Sequence, residues 1–249
     1  MIPVRAGALF LIVLLARPAF ADEPVTVAVA SNFSATAIEL STQFTDDTGI
    51  AVRVSNGSTG KLYAQILNGA PFDVFLSADS ERPILLEKSG HAVADSRFTY
   101  ALGVLVLWSR DATDCLAVLR DANGGRVALA NPGTAPYGQA AAEFLSDAGL
   151  WDSVSGRVVY GENVAQAMQF AATGNATIGL IARAQLGAPQ LPEPACTWEV
   201  PESSHSSLEQ QAVLLTRAAG NDKARRFHAY LRSDKAREIV RRNGYELTP

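Results

Sequence analysis

The sequence predicts an α/β protein of two lobes, each a mostly parallel sheet flanked by helices. Three features predict it. Short β-rich runs alternate with helical patterns along the chain. The rhythm completes one round and restarts near residue 126. Two further apolar strands, near residues 105 and 213, stand outside the rhythm and are natural crossings between lobes.

Each element follows from its pattern. Val25 to Ala30 is a strand, and Ala37, Leu40, Ser41 and Phe44 fall at i, i+3, i+4, i+7 on the helix after it. Residues 51–55 form a second strand, Tyr63, Ile66 and Leu67 mark a second helix face, 73–77 is a third strand and 83–88 a short helix. Residues 102–108 read as one long apolar strand. The second round gives a strand at 126–130, a helix at 137–148, a strand at 157–160, a helix carrying Val164, Ala167, Met168 and Ala171, and a strand at 177–181. Residues 187–207, rich in Pro and Ser, read as a surface excursion. A strand at 211–216 leads to two C-terminal helices with faces Ala224, Phe227, His228, Leu231 and Ala236, Ile239, Val240. Ser233 is placed to cap the second, and Gly244 follows its end. The expected division is 22–101 with 213–249 as one lobe and 102–212 as the other.

Residues 1–21 read as an export signal. Arg5 gives a positive start, residues 6–16 are apolar, and Ala19-Phe20-Ala21 is an A-x-A cleavage site. The apolar run is too short for a membrane span, and no later segment offers about 18 uninterrupted apolar residues. A lipid anchor would need a Cys just after the signal, where none stands. The expectation is a soluble extracytoplasmic protein. The signal holds Arg5 and Arg17 and no acid, so the net charge of −4 becomes −6 without it. That acidity argues against nucleic acid or an anionic membrane surface as partner.

In an oxidising compartment Cys115 and Cys196 are expected to form a disulfide, two separately buried thiols being the alternative. His91, His205 and His228 do not pair at metal spacing, so no metal cation site is expected, and His228 is placed at a helix surface or edge. Asp73 reads as a strand-end residue and Asp79 as an N-cap. Six arginines between 225 and 242 make the C-terminal helices basic. They form a solvated face or, on a sharper reading, part of a docking surface.

The chemistry concentrates at strand-to-helix junctions. These are Ala30-Ser31-Asn32-Phe33-Ser34, Asn56-Gly57-Ser58-Thr59-Gly60-Lys61, the segment Asn131 to Gly138, and Gly161-Glu162-Asn163-Val164. A helix N-terminus presents unpaired N–H groups and about half a positive charge. Several such ends meeting at the carboxyl edges of two sheets make an anion site without Lys or Arg, and Ser or Thr hydroxyls add donors. At any single junction the commoner use of Ser, Thr or Asn is capping alone. Gly60-Lys61 is not a phosphate loop, because Ser55 and Leu62 occupy places that require Gly and Ser or Thr.

Across these junctions the chain resembles the periplasmic molybdate-binding proteins of ABC importers. The resemblance rests on Ala30-Ser31-Asn32-Phe33, on Ser58 to Ile66 running into Asn68 to Asp79, and on Ser96 to Ala101 and Leu105 to Ser109. It continues through Asn131-Pro132, Ala135 to Gly138, Gln211-Ala212-Val213 and Asn243-Gly244-Tyr245. It implies a two-lobed periplasmic binding fold with the ligand in the interlobe cleft. It also implies a monomer in the periplasm that captures molybdate or tungstate for an inner-membrane permease, with no cofactor and no catalysis. By motif the implied ligand residues are Ser31 with Asn32, Ser58 with Thr59, Tyr137 and Val164, the last two acting largely through backbone N–H. Some members use a Tyr hydroxyl where this chain has Ala182. Sulfate, phosphate or an organic anion is the alternative ligand, and an exported hydrolase the alternative class, although no G-x-S-x-G elbow supports it.

Overall fold

The computed structural model describes residues 23–189 and 191–248; the segment 1–21, expected from sequence to be an export signal, lies outside them. The first round of the rhythm is β1 (Val25–Ala30), α1 (Ser34–Thr48), β2 (Val52–Gly57), α2 (Thr59–Leu67), β3 (Val74–Leu76), α3 (Glu81–Lys88) and β4 (Phe98–Leu102). Then follow β5 (Leu105–Ser109), α4 (Cys115–Arg120), β6 (Val127–Ala130), α5 (Pro136–Asp147), α6 (Trp151–Val154), β7 (Val158–Gly161), α7 (Val164–Ala172), β8 (Ile178–Ala182) and β9 (Cys196–Glu199). The chain closes with β10 (Glu209–Leu214), α8 (Asp222–Tyr230) and α9 (Asp234–Arg242).

Two five-stranded sheets result, ordered β2-β1-β3-β10-β4 and β7-β6-β8-β5-β9. They are built alike. In the first, β1 pairs parallel with β2 and β3, and β10 runs antiparallel between β3 and β4. In the second, β6 pairs parallel with β7 and β8, and β5 runs antiparallel between β8 and β9. Each sheet is therefore parallel except for one reversed strand, and that strand is the one arriving from the other lobe.

Three details differ from the sequence expectation. The long strand at 102–108 is two strands, β4 and β5, in different sheets, with Gly103 and Val104 between them. Leu102, Val104 and Leu105 carry the apolar pattern straight through the crossing, so composition does not mark the break. The Pro-rich excursion contains β9, an edge strand whose alternating half-buried residues read as loop. Residues 209–212, placed with the second lobe from sequence, pair in the first sheet, because Glu209, Gln210 and Gln211 are strand residues despite their polarity.

The first lobe is packed on both faces. Phe33, Leu40 and Phe44 meet Phe227, Ile239 and Val240 of α8 and α9 on one side. Leu62, Ile66, Phe75 and Leu86 fill the other. The second core gathers Leu107, Trp108, Leu129, Tyr137, Phe144 and Leu180, and also Ala30 and Ala78 from the first lobe. The lobes thus touch through small residues at the ends of their strands. Cys115 at the start of α4 is bonded to Cys196 at the start of β9, with Cα atoms 5.8 Å apart.

His228 is 5% exposed, not at the surface, with its ring edge-on to Phe98 at 5.2 Å. Burial, and then the charge of Arg232, lower its pKa to about 4, so it is neutral. Asp79 caps α3 from one residue further out than expected, accepting from Arg82 N at 3.1 Å. Asp73 binds Thr26 N and Arg217 at 2.8 and 2.9 Å, tying the start of β3 to its neighbours. The basic C-terminal helices are largely paired: Arg242 with Glu39, Arg241 with Glu238, and Arg232 stacked 3.8 Å from the Phe98 ring centre.

Candidate functional site

In register, Ala30 of β1 lies opposite Gly57 of β2, and Ala130 of β6 opposite Gly161 of β7. These pairs end the parallel parts of the two sheets, and the four junctions begin at them. The junctions meet at a small cavity lined by Ala30, Ser31, Asn32, Gly57, Ser58, Thr59, Ala78, Ala135, Pro136, Tyr137 and Val164. All six residues singled out from sequence lie on this one cavity. The space open to the centre of a water-sized sphere is about 10 Å³, far below the ~300–1,000 Å³ of pockets for drug-sized ligands. Ala182, where some relatives are expected to carry Tyr, is not among the lining residues.

Among the described helices, some starts are capped by a side chain and others are not. At α4, α8 and α9 a side chain caps the helix: Asp114 accepts from Leu116 N and Ala117 N, Asn221 from Lys223 N and Ala224 N, and Ser233 from Ala236 N. Three of the four helix starts at the cavity have no side-chain cap, namely the 3-10 turn at Ser31–Phe33, α2 and α5. Only α7 is capped, by Asn163. Ser58 holds the N-cap position of α2, yet its Oγ is buried without a protein partner. The serine thus keeps the residue type of a cap without its hydrogen bond, and the first-turn N–H groups of α2 and α5 are not met by a capping side chain.

The other hydroxyls are similarly poised. Thr59 Oγ1 accepts from Ala78 N at 3.2 Å, which leaves its proton to donate. Asn32 is 6% exposed and its side-chain amide is committed inward, donating to Gln210 Oε1 at 2.8 Å and Tyr245 Oη at 3.1 Å. Its share in the site therefore falls to its backbone. Tyr137 lines the cavity and its hydroxyl is buried against Gln210, and burial pushes that hydroxyl's pKa up. Val164 is the first residue of α7, and its carbonyl accepts from Gln185 Nε2 at 3.3 Å, an anchor that sequence reasoning did not find.

The lobes are closed over the cavity. Gly60 N donates to Thr134 O across the cleft at 2.8 Å. A side chain at Gly60 would bring its Cβ to 3.0 Å from that carbonyl, so glycine allows the close approach without a shift of the neighbour. Lys61 and Glu162, both half-exposed, pair across the same gap at 2.8 Å. Outside the cavity lies a wider cleft that shares Ser31 and Asn32 and is walled by Ile38 on one lobe and Met168 and Ala188 on the other.

Chemically the cavity offers donors. None of its lining residues carries a charged side chain. An ion with acceptors on all sides suits hydroxyls and helix N-termini best. Among the described residues no group of three or more His, Cys, Asp or Glu side chains is placed to hold a metal cation. No helix among them is long and apolar enough to cross a membrane.

Comparison with known proteins identifies the family. The bacterial extracellular solute-binding protein family matches residues 25–246. The molybdate-binding protein ModA of Azotobacter vinelandii is 45% identical over 237 residues, covering 94% of each chain. ModA of Rhodobacter capsulatus is 42% identical over 247 residues, covering 97% of this chain and 96% of its own. The solved periplasmic molybdate-binding protein of A. vinelandii superposes with a TM-score of 0.84 at 38% identity, covering 90% of this chain and all of that one. The chain belongs to the bacterial extracellular solute-binding proteins and, within them, to the family of the molybdate-binding proteins.

Proposed function

We propose that this protein captures molybdate, and its congener tungstate, in the closed interlobe cavity and delivers it to an ABC importer. The observation that carries the reading is the unpartnered Ser58 Oγ at the N-terminus of α2, which no side chain caps. A buried hydroxyl without a partner costs about 1–3 kcal/mol, a cost removed when an acceptor enters the cavity. Tetrahedral MoO₄²⁻ is doubly charged and unprotonated at neutral pH, so it accepts at every oxygen. The site residues are Ser31, Ser58 and Thr59 through their hydroxyls, and Asn32, Tyr137 and Val164 through backbone N–H. Helix dipoles rather than a cation offset the charge, which reconciles an anion ligand with an acidic chain.

Phosphate fits less well. It carries a proton near neutrality and would need an acceptor, whereas no carboxylate lines the cavity. The role is binding without turnover, by a monomer in the periplasm, with the permease as partner and closure of the two lobes as the signal. Calorimetric titration with molybdate, tungstate, sulfate and phosphate tests it. Molybdate and tungstate are expected to bind most tightly, and stronger binding of sulfate or phosphate would overturn the assignment.

A further inference from the structure

Behind the cavity lies a buried polar cluster that a binding site of hydroxyls and backbone amides does not itself require. Gln210, on the reversed strand β10, is fully buried. Its Oε1 accepts from Asn32 Nδ2 at 2.8 Å and from Tyr100 Oη at 3.1 Å. Its Nε2 donates to Tyr137 Oη at 3.4 Å. Tyr245 completes the cluster, donating to Asn32 O at 2.8 Å while accepting from Asn32 Nδ2. Asn32 belongs to the first lobe's junction and Tyr137 to the second's. Gln210 is thus bonded to one cavity-lining residue from each lobe.

The hinge runs past the same point. Gly103 lies in the link between β4 and β5, and its N–H donates to Leu208 O, just before β10. A Cβ at Gly103 would collide with Tyr137 Oη and lie 2.7 Å from Gln210 Nε2. The tyrosine hydroxyl and the glutamine amide therefore rest against the backbone about which the lobes are joined. The amide is suited to this place because one side chain must accept from two donors and also donate to a third group. A carboxylate lacks the donor, and an aliphatic residue lacks both.

We infer that Gln210 is a positioning residue of the oxyanion site: it holds Asn32 and Tyr137 in register, so that the donors of both lobes converge only in the closed form. The inference rests on the reading of the cavity as an oxyanion site. Gln210 does not touch the ligand. It fixes the Asn32 side chain, which leaves the backbone of the first junction facing the cavity, and it fixes the end of the Tyr137 ring, whose helix start faces the cavity from the other side.

The test uses the full mature protein, with molybdate as the titrant in calorimetry and thermal unfolding measured alongside. Gln210→Leu is expected to weaken molybdate binding about tenfold or more. Gln210→Glu gives the readout that packing alone would not move. When protonated, the introduced carboxyl keeps one donor and one acceptor and mimics the amide; ionised, it loses the donor. Burial raises its pKa toward neutrality. The groups facing it are the Tyr100 and Tyr137 hydroxyls, which burial keeps protonated, and the charges acting on these are Asp79 and Arg183. Affinity of Gln210→Glu should therefore approach that of the parent near pH 6 and fall about tenfold by pH 8.5, while the parent stays flat. Parent-like affinity of Gln210→Glu at every pH would overturn the inference, as would a uniform loss with no pH dependence. Ser58→Ala and Thr59→Ala separate the two failures. If they bind molybdate at full strength, the reading of the cavity fails; if they weaken it while both Gln210 variants bind as the parent does, only the role of Gln210 fails.

Discussion

Thr59 Oγ1 accepts the backbone N–H of Ala78 at 3.2 Å, and both residues line the same cavity. The bond consumes a lone pair and leaves the hydroxyl proton for an occupant. Thr59→Ala is expected to weaken molybdate binding by about 1.5–3 kcal/mol, the range for a hydrogen bond to a charged group. Thr59→Ser keeps the donor and should lose far less. Isothermal titration of both variants checks the pair, and equal losses would show that the methyl rather than the hydroxyl matters.

Ser58 should behave differently in the two states. Its Oγ is buried without a partner, so Ser58→Ala removes an unsatisfied group from the empty protein. The melting temperature without ligand is expected to hold or rise, while molybdate affinity falls by about 1.5–3 kcal/mol. Thermal unfolding with and without saturating molybdate measures both effects. A cap of the ordinary kind would give the opposite first result, a loss of about 1 kcal/mol in the empty protein.

Binding and stability should respond differently to pH. No lining residue carries a side chain that titrates near neutrality, and the Tyr137 hydroxyl is pushed further up, so molybdate affinity should be nearly flat from about pH 6 to 9. Stability depends on His228, whose pKa is lowered to about 4 by burial and by Arg232. A lowered folded value means that the unfolded chain takes up the proton first. The contribution is complete above the ordinary value of about 6.5 and is lost as pH falls through about 4, a swing of about 3 kcal/mol. Urea unfolding between pH 7 and 4 should show this slope, and His228→Gln should remove that part of it.

The bond between Cys115 and Cys196 closes a separation of 81 residues and fastens edge strand β9 to α4. Replacing both cysteines with alanine should destabilise the protein by about 4.5 kcal/mol on the loop-entropy model. Thiol labelling of denatured, unreduced protein should find no free thiol. Molybdate affinity should change little, because neither cysteine lines the cavity.

The sequence by itself determined the alternation of strands and helices, the two-lobed plan and the junctions where small polar residues gather. These are local properties: side chains repeat every two residues in a strand and every 3.6 in a helix, and a junction is marked by the residues that break both periods. Tertiary structure alone decided what the junction residues do. Ser58 and Ser233 both precede a helix, and only Ser233 caps it, because the elements packed around Ser58 leave its hydroxyl facing a shared cavity. Nothing in the residues near Gln210 announces a buried link between lobes; its partners Asn32, Tyr100 and Tyr137 are 178, 110 and 73 residues away. The sole local sign is that Gln210 sits in alternation with buried Ala212 and Leu214. His228 shares the inward face of α8 with Ala224 and Phe227 in sequence, but its ring packs on Phe98 of β4, a residue outside the apolar run at 102–108 read as strand. A pattern records which face of an element is turned inward, whereas the groups that meet that face are set by contacts between distant parts of the chain.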